Sequence, residues 1–375
     1  MKSLILAAAG LIAVIGTTAT VVTKRDTAQS DTSLLQVAQI DDMSSARAAH
    51  QATPLLSGEV LITGGCTAGC DATLRSTELY KPDARLFRPA AAMATARDSH
   101  IAIRLNDGRV LVAGGWSEGR ATDSAEIYDP GSNRFVAASP MALARAAPAA
   151  VRLRDGRILI AGGQNSEFEP LASSEVFDPS SSSFSSVGSM SVPRVGHVAT
   201  FLADGKVLII GGRQIRHGEI LRTAEVFDPS TGQFLRTGDM SSPRHKHAAA
   251  LLPDGRVLVL GGSDERDQRG RYRSTEIYDP KTGKFTDGPD MRWPRFKLTD
   301  AVAALPSGAV LVAGGATQLE LYDPGSKSFV TVQGKLSASR EFATASPLPN
   351  GEVLVLGGYD EQIQTSASAW LVGVP

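Results

Sequence analysis

A pair of adjacent glycines recurs seven times along the chain, and it constrains the fold more than any other feature. Successive pairs lie about 50 residues apart, and each follows an apolar run. The pairs are Gly64-Gly65, Gly114-Gly115, Gly162-Gly163, Gly211-Gly212, Gly261-Gly262, Gly314-Gly315 and Gly357-Gly358. A period of this length predicts a repeat architecture rather than one irregular domain.

One copy of the repeat, from Arg244 to Met291, reads as four short strands. The segments are HAAALL, RVLVLGG, STEIYDP and KFTDGPDM. Asp254-Gly255 predicts a two-residue hairpin turn between the first two segments, and Lys281-Thr282-Gly283 turns the chain after the third. Four antiparallel strands repeated radially predict a propeller blade.

The two ends of the chain predict a closed ring. The fourth strand of a copy is predicted to end in Met, with Arg four positions later, except that Leu336 replaces Met before Arg340. Met43 and Arg47 show this pattern before the first complete copy. The segment LLQVAQ before Met43 is therefore predicted to be a fourth strand without its own first three. The copy that begins at Arg340 ends after a third strand near Trp370. We predict seven blades, the last completed by the N-terminal strand, which leaves no exposed sheet edge at the closure; six blades or an open array are the alternatives.

These marks resemble the kelch repeat: the glycine pair, a Tyr-Asp-Pro about 15 positions later and an aromatic residue after the turn. The resemblance covers residues 34–375 and implies an all-β, seven-bladed kelch-type β-propeller of four-stranded antiparallel blades. Kelch propellers include galactose oxidase, whose copper site uses a cysteine cross-linked to a tyrosine, a second tyrosine and two histidines. Here the only cysteines, Cys66 and Cys70, lie in one loop. We therefore predict the related fold without the copper site, and no cofactor.

Residues 1–30 are predicted to be a signal peptide or an N-terminal membrane anchor. Residues 4–22 carry no charge, follow Lys2, and are ended by Lys24 and Arg25. The apolar run is also near the length that spans a bilayer. Both alternatives predict a periplasmic or secreted protein, anchored to the inner membrane by residues 4–22 only if the segment is uncleaved. In such an oxidising compartment Cys66 and Cys70 predict a disulfide, because a metal site would need more ligands than nearby Asp71.

An arginine recurs at the start of the first strand of every copy. Two interpretations are open: a ring that binds anions, or structural pairing with glutamates of the third strands. Unit charges about 10 Å apart repel by roughly 1–2 kcal/mol at an effective dielectric of about 20, so paired arginines are favoured. In the seventh copy Ser368 is assigned to the glutamate position, which leaves Arg340 to bind an acidic ligand or to pair with Glu341. The arginines are Arg47, Arg97, Arg145, Arg194, Arg244, Arg295 and Arg340.

Four histidines follow these arginines by three positions: His50, His100, His197 and His247. Equivalent positions in different blades are spread around a ring, and the aligned residues Pro148, Leu298 and Ala343 cannot be metal ligands. We predict a structural hydrogen-bonding role and no metal site.

The loops after the glycine pairs and the links between blades are predicted to share one face, where they present varied aromatic and charged side chains. Loops on a rigid scaffold are where binding residues concentrate. The predicted ligand-binding residues are Arg340, Arg295, Trp293, Trp116, Tyr272, Tyr359 and Arg213; further loop candidates include Phe168, Arg216 and His217.

The predicted function is an extracytoplasmic module, a monomer, that recognises a protein or glycan through this loop face. A net charge of −1 does not favour nucleic acid as a partner. The chain contains no Gly-x-Ser-x-Gly motif and no phosphate loop, so an enzyme is the less favoured class. The alternatives are a periplasmic sugar-acting enzyme, which the kelch resemblance implies because some bacterial kelch propellers epimerise sialic acid, and a membrane-anchored structural component of an envelope assembly.

Overall fold

The computed structural model describes residues 35–214 and 218–374. The N-terminal apolar segment, Arg216 and His217 lie outside the described residues, so the predictions made for them remain predictions. The described chain forms seven four-stranded antiparallel sheets, the blades, together with two short ribbons and two 3₁₀ turns. No helix in this part of the chain is long and apolar enough to cross a membrane.

Each blade takes its strands from consecutive segments of the chain, except the seventh, which also contains the N-terminal strand. Blade 1 contains β2 (Gln51–Pro54), β3 (Val60–Thr63), β6 (Thr77–Lys81) and β7 (Leu86–Pro89), with the ribbon β4 (Cys66–Thr67) and β5 (Ala72–Thr73) in its loop. Blade 2 contains β8 (Ile101–Arg104), β9 (Val110–Ala113), β12 (Ala125–Asp129) and β13 (Arg134–Ala137), with the ribbon β10 (Trp116–Ser117) and β11 (Arg120–Ala121). Blade 3 contains β14 (Ala149–Arg152), β15 (Ile158–Ala161), β16 (Ser174–Asp178) and β17 (Ser183–Ser186). Blade 4 contains β18 (Val198–Phe201), β19 (Val207–Ile210), β20 (Ala224–Asp228) and β21 (Gln233–Arg236).

The remaining blades follow the same order. Blade 5 contains β22 (Ala248–Leu251), β23 (Val257–Leu260), β24 (Thr275–Asp279) and β25 (Lys284–Asp287). Blade 6 contains β26 (Val302–Ala304), β27 (Val310–Val312), β28 (Glu320–Asp323) and β29 (Ser328–Thr331). Blade 7 contains β30 (Thr344–Pro347), β31 (Val353–Leu356), β32 (Ala369–Val372) and β1 (Val37–Ile40). The 3₁₀ turns are Ala68–Cys70 and Asp267–Gly270.

The ring closes as the sequence predicts. The first strand of each blade contacts the first strands of both neighbours, from β2 through β8, β14, β18, β22, β26 and β30 back to β2. Strand β1 pairs antiparallel with β32, with Val37 opposite Val372 and Ile40 opposite Ala369. The prediction that the N-terminal strand completes the seventh blade is therefore confirmed.

Seven hydrophobic clusters form the core, one between each pair of neighbouring blades, and an eighth small cluster of Ala48, Cys66 and Tyr359 lies among the loops. The second strand of every blade is buried along its whole length, which agrees with its unbroken run of aliphatic residues. No blade encloses a core of its own. Each blade therefore depends on its neighbours for burial, as expected of a repeat protein.

Two details of the predicted blade are wrong. The turn between the first two strands is longer than two residues: in blade 5 the Leu252 nitrogen bonds the Arg256 oxygen at 2.8 Å and the Gly255 nitrogen bonds the Leu252 oxygen at 2.9 Å. Only Gly255 has positive φ, +85°, which is the pattern of a type I turn followed by a left-handed glycine. The fourth strand also ends before the methionine: β25 ends at Asp287, and Met291 is buried in the link beyond it.

Candidate functional site

The recurrent arginines join neighbouring blades from buried positions. The Arg97 guanidinium donates to the Glu126 carboxylate at 3.0 Å and to the Gly114 oxygen at 2.8 Å, both in blade 2. Its backbone belongs to blade 1, since its nitrogen bonds the Leu74 oxygen and its oxygen accepts from the Gly65 nitrogen. The same Arg–Glu pair is present at distances of 2.7–3.0 Å in six blades. This supports the structural interpretation of the paired arginines.

Arg295, one of the predicted ligand residues, belongs to this set. It is fully buried, and its guanidinium donates to Glu320 at 2.9 Å and to the oxygens of Gly314 and Gln318 at 2.7 Å. Burial lowers the pKa of Arg295, and Glu320 opposes that change. We leave Arg295 out of the candidate site because its donors are occupied inside blade 6.

Arg340 differs, but not for the reason that the sequence suggested. The pairing of β31 with β32 sets Leu356 opposite Ala369, so the residue in the glutamate position is Trp370 and not Ser368. The Arg340 guanidinium lies 5.5 Å from the Trp370 ring centroid and donates to the Ser337 hydroxyl at 3.1 Å. Glu341 does not serve Arg340 either, because it binds Lys297 at 2.7 Å. The Trp370 indole therefore occupies in blade 7 the position that a glutamate carboxylate occupies in the other six blades.

The four recurrent histidines are buried against the glycine pairs. A Cβ added to Gly64 would come within 2.9 Å of the His100 ring and 2.3 Å of the Arg97 oxygen, which explains why glycine is needed there. His50 and His100 also bond Thr344 and Thr63 at 3.0 and 2.9 Å, whereas neither His247 nitrogen has a hydrogen-bond partner within the described chain. All four histidines are therefore buried structural residues, but His247 shows that they do not all form side-chain hydrogen bonds.

Seven residues in left-handed conformation surround the mouth of the central channel on the loop face. Each stands two positions after a recurrent arginine, and backbone hydrogen bonds link most of them from blade to blade, such as that from the Ser99 nitrogen to the Ala49 oxygen at 2.9 Å. Their side chains differ sharply around the ring. They are Ala49, Ser99, Ala147, Gly196, Lys246, Lys297 and Phe342. The residues at the mouth are therefore small and uncharged on blades 1–4, and they are cationic or aromatic on blades 5–7.

A cavity of about 460 Å³ opens at this mouth. Blades 2–4 line it mainly with small and aliphatic side chains, whereas Arg213, His245, Lys246 and Asp300 contribute charge or hydrogen-bonding groups from blades 4–6. Trp116 and Phe342 complete the wall. A volume in this range suits a small molecule or one side chain of a larger partner.

The two lysines of the ring have different surroundings. Lys297 binds Glu341 at 2.7 Å, and the centroids of the Tyr359 and Phe296 rings lie 4.9 and 5.0 Å from its ammonium. Burial alone would lower the pKa of Lys297, but Tyr359 and Glu341 together raise it. Tyr359, a predicted ligand residue, is itself 7% exposed and belongs to this cluster.

Lys246 lines the cavity, and no carboxylate of the described residues lies as close to its ammonium as Glu341 lies to that of Lys297. Asp267 is 3.8 Å from its ammonium, beyond hydrogen-bonding distance. Burial lowers the pKa of Lys246 to about 8, and the charge of Lys297 adds to that effect while Asp267 opposes it. Asp267 is nearer to His245, at 3.2 Å, and this contact lowers the pKa of Asp267 to about 2.

Arg213 and Asp300 are the other charged groups in the cavity wall. The Arg213 backbone bridges Val195, but its buried Nε has no hydrogen-bond partner, and no carboxylate of the described chain lies within 4 Å of its guanidinium. Asp300 accepts from Gln51 at 3.0 Å. Asp300 is accessible to water in the channel but surrounded by protein atoms, and this desolvation raises its pKa to about 6.

The remaining predicted residues lie away from the cavity or at its edge. Trp116 lines the cavity, with its ring 4.7 Å from that of Phe168. Trp293 lines a separate groove on the same face with Arg271, Asp360 and Glu361. Tyr272 packs under the Arg244 guanidinium at 5.0 Å. The structure therefore brings Arg213 and Trp116 to one cavity and places Trp293, Tyr272 and Arg340 elsewhere.

Lys246, His245 and Asp300 are the cavity residues that sequence reasoning missed. The signal was present for Lys246, because it stands at the same spacing from Arg244 as Lys297 from Arg295. The left-handed conformation that turns this position toward the channel is not visible in the sequence.

The cysteine loop is closed by a disulfide, and the described residues do not form a metal site. Cys66 and Cys70 are joined in a disulfide beside the ribbon of blade 1. Among residues 35–214 and 218–374, no three His, Cys, Asp or Glu side chains are grouped to hold a metal ion. With both cysteines in the disulfide and four histidines buried in the blades, these residues do not fit a copper centre.

Comparison with known proteins agrees with the repeat. The kelch motif matches residues 101–142 and 244–292, which are repeats in blades 2 and 5. The chain therefore carries kelch motifs on a seven-bladed β-propeller. Its fold is similar to a solved structure of a fungal alcohol oxidase of the AA5 family in complex with copper, with a TM-score of 0.69 and 16% identity over 90% of this chain and 76% of that chain. At that identity the likeness shows a shared fold and no more. No curated protein matches the sequence.

Proposed function

We propose that this kelch propeller is an interaction module that binds a protein partner through the loop face, around the mouth of the channel. The difference between the two faces of the propeller supports the proposal. The opposite face is built from repeated turns in which an Asp, Asn or Ser side chain accepts from the backbone nitrogen two residues later. The loop face instead varies from blade to blade: it holds the cavity with charged groups on one side, and its loops expose Phe168 and Ile363, which are 40% and 47% exposed.

The proposal includes a location outside the cytoplasm. It is supported by the basic start and uncharged run of residues 1–25 and by the disulfide between Cys66 and Cys70. A propeller held by a short N-terminal anchor would serve the same interaction at the membrane surface.

A glycan is the second candidate ligand, and the Trp293 groove favours it. An indole beside Arg271, Asp360 and Glu361 offers a flat apolar face together with hydrogen-bonding groups. A sugar ring needs both. The protein partner is preferred because the loop face exposes the apolar side chains of Phe168 and Ile363 in addition to the cavity and this groove.

Site-specific photo-crosslinking tests the proposed face. A benzophenone side chain is placed at Phe168, at Ile363 or, as the control, at Leu56, an equally apolar residue that is 68% exposed in a hairpin of the opposite face. Each protein is irradiated with extract of the envelope. We expect a discrete adduct from the first two positions that excess unlabelled protein prevents. An adduct formed only from Leu56, or no adduct that unlabelled protein prevents, would refute the proposal.

A further inference from the structure

The channel cavity has two chemically different walls. Val195, Val198 and Ala199 of blade 4 continue an apolar surface that begins at Ile101 in blade 2. Arg213 and Lys246 meet this surface from the loops of blades 4 and 5. A ligand that fills the cavity must therefore present an apolar body to one wall and a polar group to the other.

The cations of the polar wall are incompletely compensated. Arg213 has a buried Nε without a hydrogen-bond partner and forms no ion pair with a carboxylate of the described residues. Lys246 is 3.8 Å from Asp267, while Asp267 is engaged by His245 at 3.2 Å. The buried Arg213 Nε lacks an acceptor, which is costly, so an acceptor that binds here gains free energy that it would not gain at the protein surface.

A cationic ligand fits the cavity less well. Asp300 is the acidic group of the cavity wall, and its carboxylate already accepts from Gln51 at 3.0 Å. Arg213 and Lys246 would repel a ligand cation from the other side. The charge of the wall thus selects an anionic group.

We propose that the channel cavity binds a carboxylate carried on an apolar body, with Arg213 and Lys246 holding the carboxylate and the small aliphatic side chains of blades 2–4 contacting the body. This inference rests on the proposed function, because it names the chemistry that the loop face recognises. Two sources share that chemistry: a peptide that ends in an apolar residue with a free carboxylate, and a small aliphatic acid. A carboxylate can accept from the forked guanidinium of Arg213 and from the ammonium of Lys246 together, which a single hydroxyl cannot do.

Calorimetric titration of the full chain with four small probes tests the proposal. The probes are hexanoate, acetate, hexan-1-ol and hexylamine at neutral pH. We expect hexanoate to bind best, since acetate lacks the apolar body, hexan-1-ol lacks the charge and hexylamine carries the wrong charge. Two peptides of one sequence ending in leucine, with a free and an amidated C-terminus, separate the sources: preference for the free-acid peptide over hexanoate assigns the carboxylate to a protein terminus.

Variants identify the cations that bind. Arg213→Met and Lys246→Met keep an unbranched side chain, and each is expected to weaken hexanoate binding about tenfold or more. Lys327→Met is the matched control, because Lys327 has φ of +53°, against +50° for Lys246, and is exposed on a turn away from the cavity. It is expected to leave hexanoate binding unchanged.

The outcomes separate this inference from the proposed function. Equal binding of hexanoate and hexan-1-ol, no binding of hexanoate in the millimolar range, or losses no larger than that of Lys327→Met would overturn the carboxylate site. Loop-face crosslinks that persist in that case keep the interaction module. Crosslinks confined to Leu56 would refute the loop face whichever acids bind.

Discussion

At the scale of single residues, the seven buried arginines differ in what compensates their charge. Six face a glutamate in the third strand of the next blade, and Arg340 faces the ring of Trp370. Breaking a buried ion pair leaves an uncompensated charge in the protein interior, whereas loss of a cation–π contact leaves none. The two kinds of blade should therefore respond differently to the same substitution.

Replacing Arg97 by Met is expected to lower the free energy of unfolding by about 3–5 kcal/mol, because Glu126 remains buried without its cation. Replacing Arg340 by Met should cost at most about 2 kcal/mol, since it removes a cation–π contact and strands no carboxylate. Urea unfolding followed by tryptophan fluorescence measures both. Equal losses in the two variants would show that the Arg97–Glu126 pair is not what distinguishes the blades.

Some of these residue contacts could be predicted from the sequence, and others could not. The arginine–glutamate pairing was predictable because both residues recur in register. The seventh pairing was misassigned because its third strand lacks the Tyr or Phe, followed two positions later by Pro, that aligns the others. Only the pairing of β31 with β32 shows that Trp370 occupies the glutamate position. Arg213 and Trp116 were predicted as loop candidates, but their approach to Lys246 depends on contacts between blades that no single repeat contains.

At the scale of the strand and its loop, the glycine pair lets neighbouring blades approach. A Cβ on Gly114 would lie 2.6 Å from the Arg145 oxygen of the link to the next blade. The neighbouring Gly119, in the loop of the same blade, also has positive φ, +75° against +67°, but a Cβ there would meet nothing within 4 Å. Comparing the two positions therefore separates the cost of a side chain in the left-handed conformation from the cost of a steric clash with the neighbouring blade.

Replacing Gly114 by Ala should therefore destabilise the protein by clearly more than replacing Gly119. At Gly119 the cost is the left-handed conformation alone, about 1 kcal/mol. At Gly114 the clash with a backbone oxygen is added, and we expect a total of about 3 kcal/mol or more. Thermal unfolding of the two variants makes the comparison, and similar melting temperatures would contradict close packing at the glycine pair.

At the scale of the whole molecule, the buried histidines link folding to pH. Burial lowers the pKa of His50 and of His197 to about 3, and lowers those of His100 and His247 well below the ordinary value. Below about pH 6.5 the unfolded chain binds a proton at each of these four positions and the folded chain does not, so stability falls as the pH is lowered. Asp98 and Asp300 act oppositely, because desolvation raises the pKa of each to about 6.

Burial also lowers the pKa of His245, which adds to the effect of the four histidines, so the free energy of unfolding is expected to fall as the pH is lowered from about 6 to 4.5. Leu298 occupies in blade 6 the position that His247 has in blade 5. His247→Leu should therefore remain folded and reduce this slope by about 1.4 kcal/mol per pH unit. Urea unfolding at several pH values measures the slope, and an unchanged slope would mean that His247 does not stay neutral in the folded protein.

The closed ring and the binding surface belong to the same scale. Closure by β1 and β32 leaves a scaffold of nearly equivalent blades, and variation is concentrated in the loops of one face. The sequence predicted the ring because its marks recur at fixed spacing. It could not predict the cavity, which forms where Arg213 and Lys246 of two blades meet aliphatic side chains of three.

The central claim is that the loop face, and not the hairpin face, binds the partner, and co-fractionation tests it most directly. The doubly substituted chain Phe168→Glu, Ile363→Glu and the single variant Leu56→Glu each place charge on an exposed apolar position, on opposite faces. We predict that the wild-type protein and Leu56→Glu co-migrate with the partner in extracts of the envelope, while the double variant migrates as the free propeller. Retained co-migration of the double variant, or its loss in Leu56→Glu, would contradict the account.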